Sequence, residues 1–214
     1  NDKPVYRPFL YKIKALWGMT APKYSNDGLR MLLEEELGDE TINHSVCDIV
    51  IPSFDMVTHR GFHFEYFKDD SSSQKTFRDV DVILATTAAP TYFPSVQIKD
   101  TVNPNVVYNM IDGGIIANNP AEFAYRECTK HANIDNREVC ILSIGTGNAP
   151  EDVIYYKESK DWGLIEYLNP LIDSLFDASS LFVNENMKAM AQEKKIRFYR
   201  ANIEISQEAA NMDN

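Results

Sequence analysis

The stretch EVCILSIGTG, Glu138 to Gly147, decides the fold class. Between Val139 and Ile144 only Ser143 interrupts the apolar run, and the run ends in a turn holding Gly145 and Gly147. A strand with one solvated face alternates apolar and polar residues, whereas continuous apolarity marks a central strand buried on both faces. Downstream, Trp162 to Lys194 carries a helical pattern with a kink or break predicted at Pro170, and IRFYRANIEI, Ile196 to Ile205, reads as a strand. Upstream, Asn119-Pro120 caps a helix predicted to reach about His131, with proline at its first position. Before it, VVYNMID, Val106 to Asp112, is a strand closed by Gly113 and Gly114.

The same reading extends to the amino-terminal side. Asp79 to Ala89 is predicted as a helix with Val80, Ile83 and Leu84 on one face, stopped by Pro90. VCDIVIP, Val46 to Pro52, and GFHFEYF, Gly61 to Phe67, read as strands; in the second, Phe62, Phe64 and Tyr66 alternate with His63 and Glu65. Ser25 to Gly38 is a helix with Leu29, Leu32, Leu33 and Leu37 on one side and a terminal glycine suited to a left-handed cap. Pro8 to Trp17 reads as a short amphipathic helix, and Asp69 to Ser73 as a loop. Strand and helix alternate throughout, so the expectation is an α/β sheet covered on both sides, forming a single domain over residues 1–214.

Composition narrows the function classes. With 214 residues, 44% hydrophobic and 25% charged, the chain can build a core, and no apolar run approaches the roughly 18 residues of a membrane span. Thirty-two acidic against 21 basic side chains give a net charge of −11, which argues against a nucleic-acid footprint. The opening differs: Lys3, Arg7, Lys12, Lys14 and Lys23 form a basic stretch with Trp17 that could rest on an anionic membrane, although such a stripe more often packs inward. Cys47, Cys128 and Cys140 lack the spacing of a disulfide framework or zinc site and favour a reducing compartment. Asn43-His44-Ser45 fits a glycosylation acceptor at a frequency chance supplies. The chain opens on Asn rather than Met, as a fragment or a processed product does.

Ligands in open α/β sheets bind beyond the carboxyl ends of strands, where IDGG (111–114) and IGTG (144–147) both fall. Asp112, a carboxylate at a strand tip followed by two glycines, is placed to accept a proton; the commoner role of an isolated DGG aspartate is to bond turn amides. IGTG lacks the lysine and spacing of a phosphate loop, so tight packing is the preferred reading over an anion cradle. His44, His59, His63 and His131 have no acid or cysteine at metal-ligand spacing, and no metal is expected. No GxSxG elbow occurs, and Ser143 reads as a buried strand serine rather than a nucleophile.

Three motifs carry a resemblance. ATTAAPTYFPS (Ala85 to Ser95), IDGGIIANNPA (Ile111 to Ala121) and ILSIGTG (Ile141 to Gly147), in that order, resemble the patatin-like phospholipase family. The likeness extends from APKYSNDGLRMLLEEELGD through VIPSFDM to FYRANIEI and ANMDN. It implies a three-layer α/β/α fold with a mostly parallel central sheet, and a lipid acyl hydrolase of phospholipase A type using a Ser-Asp dyad without metal or organic cofactor. The aspartate of the family's DGG motif matches Asp112, which the resemblance casts as the general base. The family's glycine-rich oxyanion loop and GxSxG serine do not occur here, so the chain matches the carboxyl-terminal two-thirds of the catalytic domain. The serine is then expected upstream, and the amino-terminal strands at the middle of the sheet are missing. Alternatively the chain is a catalytically silent storage or interaction protein of the same fold. A phospholipid or related acyl lipid is the implied partner, with peripheral membrane contact, no nucleic acid and a cytoplasmic or membrane-peripheral location. The 214 residues alone are expected to be poorly soluble or molten, for want of cover over their apolar strands.

Overall fold

The computed structural model describes residues 21–68, 76–100, 102–103, 105–131, 139–148, 154–193, 195–206 and 209. The helix expected at Pro8 to Trp17 and the loop at Asp69 to Ser73 lie outside the described residues. The chain is α/β, as its pattern of alternation predicts, and divides into two compact units, Asn1–Ala117 and Asn118–Asn214.

The first unit holds a four-stranded antiparallel sheet of order β2-β1-β4-β3, with β1 at Ile49–Asp55, β2 at Arg60–Tyr66, β3 at Val96–Lys99 and β4 at Val107–Ile111. β1 and β2 form a hairpin in register from Ile49↔Tyr66 to Asp55↔Arg60. β1 meets β4 over only Phe54↔Ile111 and Asp55↔Met110, a short ladder that leaves Pro52, which has no N–H to give, outside it. Helices α1 (Asp27–Leu37) and α2 (Asp79–Thr86) belong to this unit. The α1 helix presents Leu29, Leu33 and Leu37 to the core and ends at Gly38, whose φ of +57° favours glycine. The core is aromatic at its centre: Phe64 and Phe77 stand edge to face at 5.0 Å, and Phe62 lies 4.8 Å from Tyr108. Val80, Val82, Leu84 and Ala85 of α2 are buried against it. The helix ends three residues earlier than its sequence suggests, because Thr87 turns out of it and Ala88 and Ala89 begin the loop that supports the end of β4.

Asp55 fastens the hairpin. Its buried carboxylate accepts the Asn109 and Val57 amides at 3.0 and 3.1 Å, and the amide and hydroxyl of Thr58 at 3.2 and 2.8 Å. Burial by itself raises its pKa, but the Thr58 hydroxyl and the three amides outweigh it and hold the carboxyl below the ordinary aspartate value. Asp55→Ala is expected to cost about 2–3 kcal/mol in urea unfolding, since four donors lose a charged acceptor. A lowered folded-state pKa makes this contribution fully present above the unfolded aspartate value of about 3.9 and removes it as pH falls through the folded value. The wild-type protein should therefore lose stability on acidification more steeply than the variant.

The second unit pairs β5 (Val139–Ile144) with β6 (Ile196–Ala201) in parallel, from Val139↔Ile196 to Ile144↔Ala201. Helices α4 (Ala121–His131) and α6 (Leu164–Gln192) cover one face: Ala121, Met187 and Ile196 are buried, with Val139, Ile141, Val183 and Phe198 packed around them. The opposite face is open, with Leu142 64% and Ile144 73% exposed. Continuous apolarity had predicted burial on both faces; the described residues cover one, because the pattern records what a strand is suited to bury, and cover must come from other elements. Pro170 does not break α6. Glu166, Tyr167 and Leu168 are exposed there, so the carbonyl left without an amide partner can be hydrated, and Ser174 Oγ donates to the Pro170 carbonyl at 2.6 Å. Two further single turns, α3 (Gly114–Ala117) in the first unit and α5 (Tyr156–Ser159) in the second, complete the elements.

Candidate functional site

Asp112 follows the last residue of β4, Ile111, and its backbone is fixed from two sides. Its amide donates to Ala88 O at 3.2 Å, and the Gly113 amide donates to Thr86 O at 3.1 Å, which ties the loop to the end of α2. Thr86 Oγ1 in turn donates to Pro52 O at 2.7 Å, and Ser53 Oγ donates to Ile111 O at 2.7 Å. The loop therefore sits against β1 as well as α2. The small residues of ATTAAP make this approach possible: Ala85, Ala88 and Ala89 are all buried beneath it.

Gly113 is required by contact rather than by φ. A side chain there would stand 2.8 Å from both the Pro52 carbonyl carbon and Thr86 Oγ1, and closer still to the Pro52 oxygen. Beyond it α3 begins at Gly114, and the Ile116 and Ala117 amides return to Gly113 O at 3.1 and 2.9 Å. The backbone N–H of Gly114 donates to Asp112 Oδ1 at 2.6 Å. That is the turn bond an isolated DGG aspartate is expected to make, and it leaves the second carboxylate oxygen for other work.

Burial pushes the Asp112 carboxyl above the ordinary aspartate value, and the Gly114 bond lowers it in part. A carboxylate moved upward in this way is a better proton acceptor near neutral pH than a solvated one. Among the described residues no hydroxyl is hydrogen-bonded to it.

The second glycine turn is built for packing. Gly145 N donates to Ala201 O and Gly147 N donates to Asn202 Oδ1, both at 2.8 Å, so both glycine amides are already engaged. A side chain at Gly145 would lie 2.6 Å from Arg200 Nη2, and one at Gly147, where φ is +116°, 2.8 Å from Ile205. Ser143 is buried, donating to Asn119 Oδ1 at 3.2 Å and accepting from Arg200 Nη1 at 2.8 Å, as a strand serine does. Asn119 Oδ1 also accepts the Ala121 amide at 3.3 Å, at the start of α4 as the sequence predicts, although Pro120 stands just before the helix rather than at its first position. Two histidines depart from expectation: Glu40, four residues before His44, places its carboxylate 2.7 Å from His44 Nδ1, and Glu127, four residues before His131, brings a carboxylate oxygen within 4.8 Å of that ring, pairs that the spacing already allowed. Thr86, Ser53 and Pro52, which position the Asp112 loop, were not among the sequence-predicted site residues. The signal for Thr86 was available in the small-residue run ATTAAP, whereas nothing local marks Ser53 or Pro52.

The chain is similar to several known proteins. Patatin-like protein 2 of Arabidopsis thaliana is 33% identical over 202 residues, covering 86% of this chain and 50% of the relative. Patatin-like protein 2 of Oryza sativa subsp. indica is 29% identical over 187 residues, covering 78% of this chain and 46% of that protein. A Solanum tuberosum protein named "Probable inactive patatin-3-Kuras 1" is 25% identical over 181 residues, with 78% and 48% covered. The chain spans about half the length of these curated relatives. A family model described as patatin-like phospholipase matches residues 2–125, which include the whole Asp112 loop, and the chain belongs to that family.

Proposed function

We propose that these residues are the carboxyl-terminal portion of a lipid acyl hydrolase domain in which Asp112 is the general base and a serine upstream of Asn1 is the nucleophile. The observation that carries the reading is the Asp112 carboxylate: half-buried at a strand tip, raised in pKa, and held by a single turn amide among the described residues. The serine Oγ attacks the ester carbonyl carbon as its proton passes to Asp112. The tetrahedral intermediate then collapses, and the departing alcohol, a lysolipid, takes that proton. Water attacks the acyl-enzyme with Asp112 accepting its proton, the fatty acid leaves, and the proton returns to the serine oxygen. No metal or organic cofactor enters this route. The substrate is a phospholipid or related acyl lipid, met in peripheral contact with a membrane; no helix among the described residues is long and apolar enough to cross one.

A fluorophosphonate probe tests the reading in the full-length protein. The expected result is one phosphonylated serine upstream of Asn1 in a protein that releases fatty acid from phosphatidylcholine vesicles. A second reading, a storage or interaction protein without turnover, is favoured by the potato relative whose name includes "inactive". It predicts a folded protein with neither adduct nor fatty-acid release, and that outcome would replace the first reading.

A further inference from the structure

Two threonines stand side by side at the carboxyl end of α2, and their hydroxyls do different work. Thr87 Oγ1 turns back on its own helix and donates to Ile83 O, four residues earlier, at 2.7 Å, the ordinary habit of a helical threonine. Thr86 does not. Its hydroxyl leaves the helix and donates to Pro52 O at 2.7 Å, across 34 residues of chain, while its carbonyl accepts the Gly113 amide at 3.1 Å.

The β1–β4 ladder explains why. Its register pairs Phe54 with Ile111 and Asp55 with Met110, so two residues further on it would set Pro52 opposite Gly113. Met56 N donates to Asn109 O at 2.8 Å, and every second pair from there, Pro52 and Gly113 included, falls at a hydrogen-bonded position of the antiparallel ladder. Such a rung exchanges two bonds, and Pro52 has no N–H for one of them. The other half would join Gly113 N–H to Pro52 O, and Thr86 intercepts it: its carbonyl takes the amide and its hydroxyl satisfies the oxygen. The strand therefore ends at Ile111. Asp112, whose own amide donates to Ala88 O at 3.2 Å, turns out of the ladder into the loop where Gly114 N–H holds its carboxylate.

We propose that Thr86 is a positioning residue of the hydrolysis: by intercepting the rung between Pro52 and Gly113 it keeps Asp112 out of the sheet, in the turn from which its carboxylate works. Thr86 acts only through Asp112, so the proposal rests on the reading of Asp112 as general base. Its γ-methyl helps, because a β-branched side chain is confined at χ1 and the hydroxyl stays aimed at Pro52.

The test uses the full-length protein with phosphatidylcholine vesicles as substrate. Thr86→Ala deletes the hydroxyl and leaves a gap, whereas Thr86→Val fills the space without a donor, and whichever melts cooperatively is read. The expected result is a kcat about 10–100-fold lower with KM within roughly twofold of wild type, since the base shifts while the lipid contacts stay. Thr86→Ser returns the hydroxyl and should recover most of the lost kcat. Thr87→Val, which removes only the neighbouring hydroxyl, should match wild type. The acid limb of kcat/KM supplies a readout that a smaller folded fraction does not move. A loosened loop hydrates the carboxylate, so in the hydroxyl-free variant the limb should fall towards the value of about 3.9 of a solvated aspartate. Wild-type kcat in a folded hydroxyl-free variant, or equal losses in Thr86→Ser and Thr86→Ala, overturns the inference and leaves the Asp112 reading standing if Asp112→Asn, measured alongside, is inactive. Full activity of Asp112→Asn removes both.

Discussion

Asp112→Asn in the full-length protein is expected to lower fatty-acid release by about 10²–10⁴-fold, the contribution of a positioned general base. The fold should survive the change. The amide oxygen of Asn can still accept the Gly114 N–H that Asp112 Oδ1 accepts at 2.6 Å, and the side chain is isosteric. Stability should in fact be level or slightly higher at neutral pH. Burial raises the Asp112 pKa, so the ionised form is disfavoured in the folded chain, a penalty present above the folded pKa and absent below the unfolded one. The same shift fixes the pH profile. The base works only when ionised, so the acid limb of kcat/KM should lie above the value near 3.9 of a solvated aspartate. A variant that retains turnover, or a limb at the solvated value, would remove Asp112 from the base role.

Gly113→Ala should give the largest loss of stability of any single methyl added to the loop, about 3 kcal/mol, together with loss of activity. The new carbon meets backbone on one side, the Pro52 carbonyl, and Thr86 Oγ1 on the other. Neither side can yield cheaply, since Pro52 O is the acceptor of the 2.7 Å bond from Thr86 and Pro52 belongs to β1. Gly38→Ala makes a useful comparison: nothing lies within 4 Å of the added carbon there, and only the φ of +57° is strained, so its cost should be nearer 1 kcal/mol. Equal melts for the two variants would show that the Asp112 loop is not wedged as described.

Local pattern was a good guide where a segment's surroundings matched its periodicity. The α1 stripe of Leu29, Leu33 and Leu37 and the cap of α4 by Asn119 follow from short-range rules and are present, whereas Leu32, expected on the same stripe, is 53% exposed. β3 was missed because its four residues are too few to show a period, and Val96–Lys99 becomes a strand only by pairing with β4. The break allowed at Pro170 does not occur for the complementary reason, since a helix interruption depends on whether the orphaned carbonyl can find water. In the candidate site, Asp112 was visible from its motif, but the hydroxyls of Thr86 and Ser53 that hold the loop act across 34 and 58 residues, a separation no local reading spans.

By itself the sequence determined the α/β class, the aspartate at the strand tip and the family resemblance, because these rest on residue type and on order along the chain. Tertiary structure alone decided why Gly113 must be glycine, how far Asp112 is desolvated, and that the IGTG amides are engaged by the strand beside them. Each of these is a distance between segments remote in the chain. Proton affinity and steric fit depend on such distances, and the order of residues constrains them only through the fold.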